Sequence, residues 1–175
     1  MSNFSFVSDD ALRANLDKAF DYIIELVSLI ESGKYKSETT SSFRQTAIIY
    51  TAAIIEALLL DLLKKKFAET ELATEKWELK NKNTLHKVSP EHEIVAGDHK
   101  LVKVEARFDR MNLGQINSLL KEKNVIKDEL YRKIDKVRNL RNDQHFGTRA
   151  AIKKYSKKDL EFVFSVAGEV KKLCS

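Results

Sequence analysis

The chain has very few of the residues that cross-link a fold or interrupt its helices. Its 175 residues include one cysteine, one proline and five glycines. With Cys174 alone no internal disulfide can form, which fits a reducing compartment. The scarcity of proline and glycine predicts few irregular loops. Together with 43% hydrophobic and 33% charged residues, it indicates a single, mainly α domain over residues 1–175 with one well-buried core.

Signals for export and for several common enzyme classes are also missing. The first ten residues contain no basic stretch followed by a long apolar run, so a cytoplasmic protein is predicted. The sequence contains no glycine-rich phosphate loop, no Gly-x-Ser-x-Gly elbow, no His-Glu-x-x-His and no Cys/His metal spacing. No metal or cofactor is therefore predicted.

Positive charge is concentrated in the last third of the chain. The whole chain carries a net charge of +5. Residues 121–175 contain fifteen Lys and Arg against eight Asp and Glu, or +7, which leaves −2 for residues 1–120. A dense basic run is either ordinary solvated surface or, beside a cluster of Arg and His, a region that steers phosphate groups. The candidate RNA-binding residues of this run are Arg149, Lys153, Lys154, Lys157 and Lys158.

Two amphipathic or apolar helices are predicted in the first 70 residues. Ser8 is the expected cap of a first helix that ends near Gly33, because apolar residues recur there at three- and four-residue steps. A second helix over residues 43–67, capped by Ser41 or Ser42, is apolar almost all round. A membrane span is one interpretation of it. Its two acids, Glu56 and Asp61, each cost roughly 3 kcal/mol near the centre of a span, so a central buried helix is favoured.

Between about residues 75 and 107 the helical pattern gives way to short apolar runs. These runs are separated by Asn81-Lys82-Asn83, Ser89-Pro90 and Ala96-Gly97-Asp98, which are turn signals. We therefore predict an inserted hairpin or small sheet of short strands. The histidines of this segment have no recognisable metal-ligand spacing and are expected to be exposed on loops: His86, His92 and His99.

Three further helices complete an up-and-down bundle of about five. Asn112 is the predicted cap of a helix over residues 113–123, and Ser156 that of the last helix, whose apolar stripe runs to Cys174. The helix between them is predicted over residues 127–146, with Gly147 as its stop.

The end of this fourth helix carries the candidate site. Arg138, Arg141, Asn142 and His145 are three, four or seven residues apart and share a helical face. The apolar stripe of this helix becomes basic near its C-terminal end. Burying these charged side chains is costly unless an anion or an acid pairs with them. These residue types suit RNA cleavage, because histidine transfers protons near neutral pH and the planar guanidinium matches phosphate oxygens. A structural reading remains, since basic residues complement the dipole at a helix C-terminus.

The spacing from Arg138, through polar Asn139, to His145 resembles the Arg-(four to six residues)-His signature of the HEPN ribonuclease superfamily, and Arg141-Asn142 resembles the Arg-Asn pair often found inside it. From Arg141 the spacing is three residues, so the pattern leaves open which arginine takes the family role. The resemblance implies a helical domain that is typically dimeric, with a composite cleft and products that end in a 2′,3′-cyclic phosphate. By that analogy His145 transfers protons, and the two arginines hold the scissile phosphate.

Two supporting roles and two alternatives follow. Glu56 is either a surface-edge acid or a partner for Arg138 or Arg141, and Asn142 can orient either reacting group. HEPN domains often act as toxins or in phage defence, which implies a possible antitoxin partner. The first alternative is a non-catalytic HEPN domain that binds RNA, a nucleotide or a protein through the same face. The second is a helical scaffold in which the motif is structural.

Overall fold

A computed structural model describes residues 2–143 and 153–175 of the chain. Clustering of backbone contacts divides the chain into a helical unit, Met1–Lys66 with Met111–Ser175, and a hairpin unit, Phe67–Arg110. The predicted mainly α fold with a small β hairpin is confirmed. The elements in the described ranges are α1 (Asp10–Glu31), α2 (Ser37–Lys66), β1 (Thr74–Ser89), β2 (His92–Val104), α3 (Leu113–Glu122), α4 (Asp128–Asn142) and α5 (Lys157–Cys174), with short 3-10 turns at Glu69–Leu72 and Phe108–Arg110.

Helix α2 is the centre of the helical unit. The other four helices, α1, α3, α4 and α5, all pack on it. Its buried residues lie on about half of its circumference and include the fully buried Ile48, Ile55, Leu59 and Leu63. By length and composition α2 could cross a membrane, but 56% of its most apolar window is buried inside the protein. The predicted central position of this helix is confirmed, but it is buried on about half of its surface instead of on most sides.

The starts of the first two helices differ from the predicted ones. Asp9, not Ser8, caps α1 and accepts a hydrogen bond from the backbone N–H of Leu12 at 2.9 Å. Helix α2 begins at Ser37, so that Ser41 lies inside the helix and is buried. Its hydroxyl accepts a hydrogen bond from the backbone N–H of Tyr155 at 2.8 Å, a tertiary contact that local sequence cannot reveal.

The caps of the later helices are as predicted. Asn112 and Gln115 form a reciprocal capping box at α3, and Ser156 does the same with Asp159 at α5. Helix α4 ends at Asn142. Asp143, which was predicted to be helical, is instead its C-terminal cap. The rest of the predicted continuation, residues 144–146, and the predicted stop at Gly147 lie outside the described residues.

The hairpin unit contains two long antiparallel strands instead of several short ones. Only Ser89-Pro90 leads into the turn, and the register shifts at the Asn81-Lys82-Asn83 segment without ending the strand. Asn81 takes φ 50° there, which asparagine tolerates. Opposite, a Cβ at Gly97 would lie 2.6 Å from the carbonyl oxygen of Lys80. The two other turn signals are therefore bulge features, and the three histidines lie exposed on strands, not on loops.

Candidate functional site

Helix α4 presents its two motif arginines beside a buried stripe. Ile134, Val137 and Leu140 are buried against the other helices. Arg138 and Arg141 lie next to this stripe, and their side chains keep 39% and 38% of their surface exposed. Each guanidinium is thus partly held by the protein and partly open to solvent.

Arg141 is held from the central helix. Its Nη1 donates a hydrogen bond to Oε2 of Glu56 on α2, and the two groups form a salt bridge. The Glu56 side chain is only 20% exposed. A charge-assisted hydrogen bond of this kind fixes the position of the guanidinium group, so Glu56 orients Arg141. Arg138 is paired with a different acid.

The Arg138 side chain is paired with an acid of its own helix and packs against the first turn of α3. Its Nη2 is 2.8 Å from Oδ1 of Asp135, one turn earlier on α4. A Cβ built on Gly114, in the first turn of α3, would lie 2.6 Å from Nη1 of Arg138. Glycine at this position therefore leaves the space that the guanidinium occupies. The Nε of Arg138 is buried and has no hydrogen-bond partner among the described residues.

The two asparagines of the motif are exposed. Asn139 donates a long hydrogen bond, 3.4 Å, to Oδ2 of Asp135, so Asp135 contacts both Arg138 and Asn139. Asn142, the last residue of α4, is exposed. Asn139 and Asn142 are therefore more exposed than the two arginines, which are each paired with an acid.

The basic run after the motif divides into a paired and an exposed part. Lys153 Nζ is 2.7 Å from Oδ2 of Asp143. Lys154 and Lys158 are exposed, and Lys157 is exposed with its Nζ 3.6 Å from Glu161 on the same helix. The predicted positions His145 and Arg149 lie outside the described residues.

Tyr155 was missed by the sequence reasoning and anchors this region. It is 2% exposed, and its hydroxyl donates a hydrogen bond to the carbonyl oxygen of Leu140 in the last turn of α4, at 3.1 Å. Its own carbonyl accepts a hydrogen bond from Arg44 of α2, at 3.4 Å. The Asp143–Lys153 pair and the hydrogen bonds of Tyr155 therefore hold residues 153–155, which follow residues 144–152, against the C-terminal end of α4 and the N-terminal part of α2. The only sequence signal was an aromatic residue inside a basic run.

The described parts of the chain contain no cluster of metal ligands, and their cysteine is partly buried. No cluster of three or more His, Cys, Asp or Glu side chains could hold a metal ion there. Burial raises the pKa of the Cys174 thiol to about 11, and its Sγ lies 3.6 Å from the carbonyl oxygen of Leu58. At neutral pH this thiol is protonated and is a poor nucleophile.

Comparisons with known proteins identify no family for this chain. The sequence matches no family model and no curated protein, and the structure matches no solved structure.

Proposed function

We propose that the protein is a HEPN-like, metal-independent endoribonuclease that acts as a homodimer. The observation that carries the proposal is the pair of partly exposed guanidinium groups, one turn apart at the end of α4, directly before the segment that contains His145. The resemblance of Arg138–His145 to the HEPN signature supplies the reaction class, and it implies a cytoplasmic toxin or phage-defence role with a possible antitoxin.

The proposed reaction needs no group beyond these side chains and RNA. The 2′-hydroxyl loses its proton to a base and attacks the adjacent phosphorus, and the bond from phosphorus to the 5′-oxygen breaks. The leaving 5′-oxygen takes a proton from an acid, and a 2′,3′-cyclic phosphate remains. His145 transfers these protons, and Arg138 and Arg141 bind the phosphate oxygens.

The pairing of the arginines with acids supports this role. Each guanidinium has five N–H donors in a fixed fork, and among residues 2–143 and 153–175 the carboxylate contacts of Arg138 and Arg141 each use one terminal nitrogen. Donors on the partly exposed side chains remain for a phosphate. Glu56 and Asp135 hold the forks in place, which reduces the entropy lost when RNA binds.

The proposed reaction requires two copies of the chain. The motif supplies one histidine per chain, which cannot serve as base and acid in the same step, so two copies of His145 meet at a twofold axis, where the two chains form one cleft. The exposed Lys154, Lys157 and Lys158 attract RNA to this cleft, and binding therefore weakens as the salt concentration rises.

The proposal is tested by incubating the protein with RNA in EDTA and analysing the ends of the products. We expect cyclic-phosphate ends with the wild type and a loss of at least about 100-fold in rate with His145→Ala. The matched control is His92→Ala in the exposed hairpin, which should cleave like the wild type.

A second pair of variants tests the arginines. Arg138→Ala should weaken both RNA binding and cleavage, whereas Arg132→Ala, an exposed arginine of the same helix outside the motif, should change little. Salt-dependent RNA binding without cleavage would replace the proposal by a non-catalytic HEPN domain. If neither is observed and the protein co-purifies with another protein, the helical scaffold is supported.

A further inference from the structure

An open apolar groove lies between α1 and α5 on the side of the helical unit where both helices pack on α2. We call it the α1–α5 groove, and its volume is about 410 Å³. This volume falls in the range of small-molecule sites, which are mostly apolar with a few polar groups. The walls include Ile24 and Val27 of α1, Ile54 of α2 and Phe164 of α5.

The groove has one polar end. Helices α1 and α2 are antiparallel, because the Tyr22 ring contacts Tyr50 in a tilted arrangement and Tyr35, just after α1, contacts Phe43 edge-on. Helix α5 runs parallel to α2, since Tyr155, just before α5, contacts Ser41 near the start of α2, and Cys174 contacts Leu58 in its second half. Lys171 therefore lies at the same end of the groove as Leu58. At the opposite end the hydroxyl of Thr51 already donates a hydrogen bond to the carbonyl oxygen of Ala47.

Lys171 is placed to meet a negative charge. Of the residues that line the groove, all in the described part of the chain, it is the only charged one. Its Nζ lies 5.6 Å from the centre of the Phe4 ring, which holds the cation at the rim. Among the described residues it has no carboxylate partner within salt-bridge distance. A single unpaired cation at the end of an apolar groove complements a molecule with an apolar chain and one anionic end.

Gly168 keeps the groove open. It lies in the interior of α5, where glycine weakens a helix relative to alanine. A Cβ added to Gly168 would meet nothing within 4 Å, so neither close packing nor a left-handed backbone requires glycine here. A larger side chain at this position would extend into the groove.

We propose that the α1–α5 groove binds a medium-chain fatty acid, with its alkyl chain between the two helices and its carboxylate at Lys171. The seven residues from Phe164 to Lys171 give the groove a length of roughly 10 Å along α5, which matches an extended alkyl chain of about eight carbons. This proposal is independent of the RNA-cleavage proposal, since the groove and the arginines of α4 share no residue.

Titration calorimetry with octanoate, kept below its micelle-forming concentration, tests the proposal. We expect one molecule to bind per chain. Gly168→Leu fills the groove and should weaken binding by more than about tenfold, with circular dichroism to verify that the variant is folded. Lys171→Met should weaken octanoate binding by about tenfold and leave the binding of neutral octanol unchanged. The control Lys172→Met, an exposed neighbour that does not line the groove, should bind octanoate like the wild type.

Four results would overturn the proposal. They are no binding of octanoate, equal binding by folded Gly168→Leu, equal weakening by Lys171→Met and Lys172→Met, and self-association of the wild type that Gly168→Leu abolishes. The last result would mean that a second copy of the chain fills the groove. If Gly168→Leu does not fold, Lys171→Met decides the test: weaker binding of octanoate but not of octanol supports a carboxylate bound at Lys171, and equal effects on both overturn it.

Discussion

At the scale of single residues, the contact between Glu56 and Arg141 joins the candidate site to the centre of the fold. Glu56 is 20% exposed and Arg141 38%, so solvent screens the pair only in part. We predict that Glu56→Gln lowers the free energy of unfolding by about 1 kcal/mol, because it removes one charge of a partly desolvated ion pair. Urea unfolding measures this change.

A double-mutant cycle separates the pair from other effects. Glu56→Gln and Arg141→Gln should be less than additive, because both remove the same interaction. Glu25→Gln, at an exposed position of α1, is the matched control and should change stability by less than about 0.5 kcal/mol. Full additivity of the first two variants would contradict a direct contact between Glu56 and Arg141.

The Cys174 thiol gives a pH-dependent prediction. Burial, reinforced by the nearby Asp61 carboxylate, raises its pKa to about 11. At pH 8 the folded protein should therefore react with a thiol reagent at least about tenfold more slowly than the urea-unfolded chain, because only the thiolate reacts. The measurement is the rate of labelling with a chromogenic disulfide.

The raised pKa of Cys174 also determines how the free energy of unfolding changes with pH. A thiol whose pKa is raised by folding contributes stability that is present below the pKa of the unfolded chain and is lost as the pH rises from about 9 towards about 11. The labelling rate of the folded protein should rise over the same window. A folded-state rate equal to that of the unfolded chain at pH 8 would mean that the thiol is not buried.

At the scale of elements, hydrophobic periodicity was sufficient to predict the helices. The stripes that face α2 follow the 3.6-residue repeat, and the caps Asn112 and Ser156 have local signatures. The start of α2 was not predictable in this way. Ser41 is a good capping residue, but it lies inside the helix because its partner is the backbone of Tyr155, 114 residues later.

The hairpin shows the same limit of local reasoning. Asn81 and Gly97 are turn residues by composition, yet both lie within long paired strands. A bulge uses the same conformational freedom as a turn, and only the pairing of β1 with β2 distinguishes the two. The sequence therefore predicted the hairpin but gave too many turns within it.

Helix α5 gives a prediction at the position of its glycine. Since Gly168 lies inside the helix with open space around its missing Cβ, Gly168→Ala should raise the free energy of unfolding by about 1 kcal/mol. Urea unfolding at constant pH measures it. The comparison variant is Gly114→Ala, which should destabilise the protein because a Cβ there would clash with Arg138. A loss of stability in Gly168→Ala would contradict the open space described for this helix.

At the scale of the whole molecule, the positive field of residues 121–175 and the position of the arginines are the parts of the site that the sequence could predict. The partners could not be predicted, because Asp135 and Asp143 are ordinary surface acids in sequence and acquire their roles only through the folded contacts with Arg138 and Lys153. His145 and Arg149 lie outside the described residues, so their place in the site remains a prediction.

The proposed shared cleft predicts a dominant effect of an inactive subunit. If two copies of His145 act together, mixing equal amounts of wild type and His145→Ala and allowing subunits to exchange should leave about one quarter of the activity of the same total amount of wild type. A protein whose chains act singly would keep about one half. Mixing with His92→Ala instead should preserve full activity and controls for exchange itself.

The identity of the RNA ends produced by the wild type and by His145→Ala in EDTA tests the central claim most directly. The account predicts new 2′,3′-cyclic phosphate ends with the wild type, no more than a trace of them with His145→Ala, and normal amounts with His92→Ala. Equal amounts of these ends from the wild type and from His145→Ala, or intact RNA with every variant, would contradict it.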